Sequence, residues 1–162
     1  MACVASAGRL RVGVVLAMAA SLAVQFVVLY DPSPPGGVVL FAGADKIIHA
    51  LVFAAPAALA ALAGSGWHPG ADTTDVAYPV LRSGWPRWPI VVLVALIIHA
   101  PLSEVVQAQF LVHRGGDPWD AVADLFGVAL GVSIAVTLVW MSRTVLTRRE
   151  RTTPRAGVGA GR

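Results

Sequence analysis

The sequence predicts an all-α, multi-pass membrane protein, with four transmembrane helices in a small bundle. Three observations predict it. Hydrophobic residues fill 57% of the 162 positions and charged residues only 13%, where a soluble domain carries roughly 25% charged residues. The mean hydropathy is +0.73. The apolar positions also gather into four runs, at 12–30, 47–63, 90–110 and 121–141, each close to the roughly 20 residues that cross a hydrocarbon core. A chain this poor in charge cannot surround a soluble core of its size with a charged shell.

The first run follows a short N-terminus, residues 1–11, that carries Arg9 and Arg11. That order resembles a secretory leader. The run is longer than the roughly 7–15 apolar residues of a leader, however, and its small residues Ala17 and Ala19 lie inside it, so it reads as a retained anchor. The second run contains Pro56, read as a kink. The third is preceded by Trp85 and Trp88, placed to anchor it at the interface. The fourth holds Gly127 and Gly131, the small-xxx-small spacing that lets helices approach closely. Residues 142–162 form a basic tail rich in Gly and Arg, expected to be disordered.

Net charge is +3, but six of the twelve basic residues (Arg143, Arg148, Arg149, Arg151, Arg155 and Arg162) fall in the last twenty positions. Beside a membrane span this is a topology signal, and no nucleic-acid partner is expected. The single cysteine, Cys3, excludes an intramolecular disulfide and a thiolate metal cluster. With both termini cytoplasmic, the inner side holds Arg9, Arg11, Arg82, Arg87 and the six tail arginines, and the outer side only Lys46 and Arg114. Ten against two fixes that orientation.

Orientation turns scattered ionisable residues into a pattern. Asp45, Lys46 and His49 open the second span, Glu104 and Gln107 close the third, and Arg114, Asp117, Asp120 and Asp124 occupy the following loop and the start of the fourth. All share the outer side. Asp45 and His49, like Asp120 and Asp124, are four apart and therefore about 40° apart around a helix. His99, Ser103, Glu104 and Gln107 span about 140° of the third helix, a polar stripe that should face protein. Asp120, Asp124, Gly127, Gly131 and Ala135 lie within about 80°, so the acidic face of the fourth span is also its packing face.

Simpler readings stand beside these. Asp45 and Asp117 precede helices and can cap them or complement the helix dipole. Arg114 alone can snorkel to the interface. His99, two residues before Pro101, can bond a carbonyl freed by that proline. Glu104 and Asp124 are harder to assign a purely structural role, because a carboxylate at the centre of a bilayer costs about 2.5–3.5 kcal/mol or more and needs a partner. The partners on offer are Lys46, His49 and Arg114. Lys46 and Arg114 supply two fixed positive charges against the carboxylates of Asp45, Glu104, Asp120 and Asp124, so a protonated His49, a protonated carboxylate or a bound cation must offset the remainder.

Three segments, Asp45-Lys-Ile-Ile-His49, Glu104-Val-Val-Gln107 and Arg114-Gly-Gly-Asp-Pro-Trp-Asp120-Ala-Val-Ala-Asp124-Leu-Phe-Gly127, resemble the VanZ-like membrane protein family, whose pattern is D-K-x-x-H, then E-x-x-Q, then R-x5-D-x3-N-x2-G. The resemblance runs from about residue 45 to residue 131. Asp124 departs from it, standing where the family has Asn, so that a carboxylate replaces an amide donor. The resemblance implies a bacterial cell-envelope setting in the plasma membrane. The founding member is an accessory protein of resistance to the glycopeptide teicoplanin.

Three functions fit these residues. In the first, an envelope protein binds the head group of a lipid or cell-wall precursor through Asp45, Lys46, His49, Glu104, Gln107, Arg114, Asp120 and Asp124, with Lys46 and Arg114 on an anionic group. Its partners are membrane lipids and an anionic lipid-linked or cell-wall precursor. In the second, His49, Glu104, Asp120 and Asp124 are the catalytic candidates of an enzyme that holds a divalent cation or performs acid–base chemistry on a lipid-linked substrate. The sequence does not identify a cofactor or metal. In the third, a small proton-coupled transporter, His99 continues a relay inward from Glu104, although Val91 to Ile98 offer no further acceptor.

Overall fold

The computed structural model describes residues 2–31, 41, 43–65, 87–111 and 116–152. They form four helices: α1 (Ala2–Tyr30), α2 (Ala44–Gly64), α3 (Arg87–Phe110) and α4 (Pro118–Thr152), with no strand among the described residues. Each contains a stretch long and apolar enough to cross a membrane. The chain is a multi-pass membrane protein, and four crossings return its two ends to the same side.

The helices begin earlier than the apolar runs, because their first turns are built from capping and interfacial residues. Gly43 precedes α2 in a left-handed conformation, φ 86°, that glycine adopts without strain. Pro89 lies in the first turn of α3, where its missing N–H leaves no bond unmade. Before α4, the Asp117 carboxylate accepts the Trp119 N–H at 2.9 Å and Pro118 follows as the first helical residue. Asp117 is thus a cap, as the simpler reading has it. Asp45 is not: it lies in the first turn of α2, beyond Gly43, where it complements the helix dipole. At the other end α4 continues past the apolar run to Thr152. The first part of the expected disordered tail is therefore helical, and residues 153–162 lie outside the described residues. So does most of the expected inner loop, including Trp85.

Packing centres on α2 against α4. A β-carbon built on Gly127 would overlap the backbone of Ala50, and one on Gly131 the backbone of Ala54, with the Ala58 nitrogen 3.0 Å away. The two glycines and the alanines at 50, 54 and 58 form matched small-residue ladders, which let the backbones meet. Each glycine Cα–H is aimed at a carbonyl oxygen across the interface, a contact worth about 0.5–1 kcal/mol. The buried positions of α4, Asp120, Asp124, Gly127, Val128, Gly131, Ala135 and Val139, follow the one face expected from the sequence.

A core of Leu29, Phe53, Ala57, Leu96, Ala100 and Val128 joins all four helices. The outward faces are strongly apolar: Val91, Ile98, Val105 and Phe126 are each more than half exposed. Such faces suit hydrocarbon. Trp119 at one end of the bundle and Trp88 and Trp140 at the other are also exposed, the positions where indole rings meet the membrane interface.

Candidate functional site

One end of the bundle concentrates the charge. The first turns of α2 and α4 and the last turns of α3 converge there. At about 1.5 Å of rise per residue, His49, Glu104 and Asp124 lie roughly 8–9 Å in from the ends of their helices. All three are at least nine-tenths buried, as is Asp120, while Asp124 is wholly covered.

His49 is the hub. Its Nδ1 lies 3.0 Å from Asp124 Oδ1, so the ring N–H donates to that carboxylate. The same nitrogen is 3.9 Å from Glu104 Oε1, and Nε2 is 3.9 Å from Asp120 Oδ2. Glu104 is held from the loop, its Oε2 accepting the Asp117 backbone N–H at 2.9 Å. Gly116 makes this possible, since a β-carbon there would overlap the Glu104 carbonyl and touch Ala108. The absence of that carbon lets the loop lie directly on α3.

Above the hub, the Lys46 ammonium donates to Asp117 Oδ2 and Asp120 Oδ1, both at 2.8 Å, and stands 3.5 Å from Asp45. The Lys46 ammonium beside Asp117 holds that carboxyl below its ordinary value of 3.8, assisted by the Trp119 N–H. The lysine therefore ties α2 to α4. A phosphate approaching it competes with carboxylates already in place.

Of the residues expected to form the site, Lys46, His49, Glu104, Asp120 and Asp124 are brought together. Gln107 is buried one turn from Glu104, its amide nitrogen without a partner among the described residues. Asp45 departs from expectation: its side chain is 59% exposed, so it does not share the buried face of His49. One turn nearer the end of α2 than His49, it stands at the rim of the bundle. Arg114 lies outside the described residues.

The polar stripe on α3 does face protein, with Ser103, Glu104 and Gln107 buried. His99 differs from expectation. Its Nε2 lies 2.8 Å from the Tyr30 hydroxyl, and its ring packs against Phe26, Tyr30 and Phe53. A side-chain partner on α1 thus replaces the expected backbone carbonyl, because Tyr30 reaches across to the ring. Nearby, the Ser103 hydroxyl donates to the Ala100 carbonyl at 2.8 Å.

Two residues had escaped the sequence reading, Tyr30 and Gln25. Gln25 on α1 is fully buried, and neither its amide nitrogen nor its oxygen has a partner among the described residues. An amide in the middle of an apolar run is the signal that marks it, since such a group in hydrocarbon requires a partner.

Two carboxylate oxygens in the cluster, Glu104 Oε1 and Asp124 Oδ2, are likewise buried with no hydrogen-bond partner among the described residues. Five carboxylates, those of Asp45, Glu104, Asp117, Asp120 and Asp124, face Lys46 and His49 here. This end of the bundle is acidic, partly unsatisfied and held by three helices. Comparison with family models, with curated proteins and with solved structures gives no match for this chain.

Proposed function

We propose that this protein is a VanZ-like integral membrane protein of the bacterial cell envelope. In this reading it lies in the plasma membrane with both termini cytoplasmic and binds the head group of a lipid or cell-wall precursor at the outward-facing polar cluster. The single observation that supports it most is the set of buried groups left without a partner among the described residues at a point where three helices converge: Glu104 Oε1, Asp124 Oδ2 and the Gln107 amide nitrogen. Buried polar groups in a folded protein are normally paired. The two oxygens suit hydroxyl, amide or amine donors of a sugar or peptide head group. The phosphate falls to Arg114, read from the sequence, and to Lys46 at the partly exposed rim.

The resemblance in the three motif segments adds the envelope setting, and through the founding member a link to glycopeptide (teicoplanin) susceptibility. The test uses purified protein in nanodiscs. Those doped with a polyprenyl phosphate or a lipid-linked cell-wall precursor should retain that lipid through washing and be detected by mass spectrometry. Glu104→Gln and Arg114→Ala should release it while phosphatidylglycerol retention stays the same. Equal retention of all lipids by wild type removes the head-group reading. A deletion strain with unchanged teicoplanin susceptibility and an unchanged envelope-lipid profile removes the resistance link.

A further inference from the structure

We infer that His49, Glu104 and Asp120 form a binding site for one divalent transition-type cation, of the zinc or manganese class. The inference deepens the head-group reading, since it concerns the same cluster, and rests on its own geometry.

One ligand atom from each of the three residues lies within 4.8 Å of the other two. Tetrahedral bonds of roughly 2.0–2.2 Å from zinc to nitrogen and oxygen ligands place such atoms about 3.3–3.6 Å apart, so closure draws the ligand atoms together by at most about 1.2–1.5 Å, a movement that side-chain rotation covers. The three come from different helices, α2, α3 and α4, and their convergence is a property of the fold.

The arrangement around them carries the argument further. Each of the three is held through one atom and keeps another without a hydrogen bond among the described residues. His49 is fixed through Nδ1 by Asp124, leaving Nε2 with its lone pair in the neutral ring. Glu104 is fixed through Oε2 by the Asp117 N–H, leaving Oε1 buried and unpaired. Asp120 is fixed through Oδ1 by Lys46, leaving Oδ2 toward the imidazole at 3.9 Å. This is the construction of a metal centre with its supporting shell. A ligating histidine gives its other N–H to a carboxylate, which sets the tautomer, and ligating carboxylates are themselves hydrogen-bonded.

A purely structural cluster would not leave Glu104 Oε1 without a donor, because its side chain is only 8% exposed and an unpaired buried acceptor is expensive. The electrostatics agree. Glu104, Asp120 and Asp124 surround one imidazole, and Lys46, the nearest ammonium among the described residues, already serves Asp117 and Asp120. A dication supplies positive charge that no further side chain among the described residues offers. One imidazole and two carboxylates also leave a coordination position open for an outside oxygen, that of water or of a head-group phosphate. The acidic rim that disfavours a bare phosphate would then be bridged through the ion.

The test uses the full chain in detergent, stripped with a chelator and dialysed against Zn²⁺ alone and Mn²⁺ alone. One ion per chain is expected for at least one of them, with a rise in the thermal midpoint that EDTA reverses. Glu104→Gln and Asp120→Asn should weaken binding tenfold or more. Should either variant fail to fold, X-ray absorption at the metal edge of the loaded wild type decides instead, and coordination by one imidazole and by oxygen atoms is expected. No saturable binding of either ion overturns the site. So does binding unaltered in folded Glu104→Gln and Asp120→Asn, or a bound ion without a single imidazole. Ion binding in a protein that retains no lipid-linked precursor would keep the metal site and remove the head-group reading; the reverse result would do the opposite.

Discussion

His49 on α2 and Asp124 on α4 face each other at 3.0 Å in a position where the aspartate is fully covered. The contact joins the two most closely packed helices just above the Gly127–Ala50 approach. It also sets the imidazole tautomer, leaving the Nε2 lone pair on the side of Asp120. Removing one member of a buried, hydrogen-bonded ionisable pair leaves the other unsatisfied, at a cost of about 3 kcal/mol or more. His49→Ala should therefore destabilise the protein strongly. Asp124→Asn should cost far less, because the amide oxygen still accepts the Nδ1–H. Thermal midpoints in one detergent decide it, and equal losses would mean that the negative charge of Asp124, beyond its acceptor, is required.

The glycine ladder gives a second prediction. Gly131 has no room for a side chain, since the first added carbon meets the Ala54 backbone and no flexible group can move aside. Gly131→Ala should force α4 from α2 and cost about 1–3 kcal/mol, despite the better helix propensity of alanine. Ala129→Leu, on an exposed face of the same helix, should leave the midpoint and folded yield unchanged. Equal behaviour of the two variants would mean that α4 does not pack through its glycines.

Much of this arrangement was legible in the sequence, for a definable reason. Charge and Gly spacing on α4 mark one face, because a helix in lipid has few ways to hide Asp120 and Asp124 except against protein. The same logic found the α3 stripe. It did not find that Asp45 stays at the rim while His49 is buried, since helical spacing gives angles and says nothing of depth or of where the neighbouring helix ends. Nor did it find the His99–Tyr30 bond, which joins residues 69 positions apart and requires knowing that α1 packs beside α3. The use of Lys46 as a tie between α2 and α4, beside the anion contact proposed for it, depends on the Asp117 cap turning back over α2. No local pattern encodes that turn.

The Lys46–Asp117 bridge predicts a pH dependence with a definite sign. Lys46 from α2, the Trp119 N–H from α4 and, at longer range, His49 all hold the Asp117 carboxyl below its ordinary 3.8. A group whose value is lowered on folding binds fewer protons in the native state, so its stabilising effect is complete above the unfolded value and fades as pH falls through the folded one. The thermal midpoint of wild type should therefore exceed that of Asp117→Asn by a constant amount above about pH 5, and the gap should close below pH 3.8. No gap at any pH would assign the effect of Asp117 to capping alone, since the asparagine amide also caps, and a gap that persists at the lowest pH reached would overturn the charge-based account.

Orientation is the last prediction. Four spans put residues 12 and 142 on one side, and the ionisable cluster lies at the opposite end of the bundle. Arginine and lysine are retained on the cytoplasmic face, and ten basic residues flank the end away from the cluster against two beside it. The cluster should thus open toward the outer leaflet, where a lipid-linked precursor meets it without crossing the membrane. In a Cys3→Ser background, single cysteines at Phe41 and Thr144 test this: Phe41 lies just before α2 and Thr144 just beyond the membrane-spanning part of α4, Pro118–Ser142, on opposite sides of the predicted membrane. A membrane-impermeant maleimide added to intact cells should label the cysteine at 41, and the one at 144 only after lysis. The reverse pattern would turn the cluster to the cytoplasm. Its ligands would then have to be cytoplasmic head groups, and the ten-to-two bias would have failed as a guide to this chain.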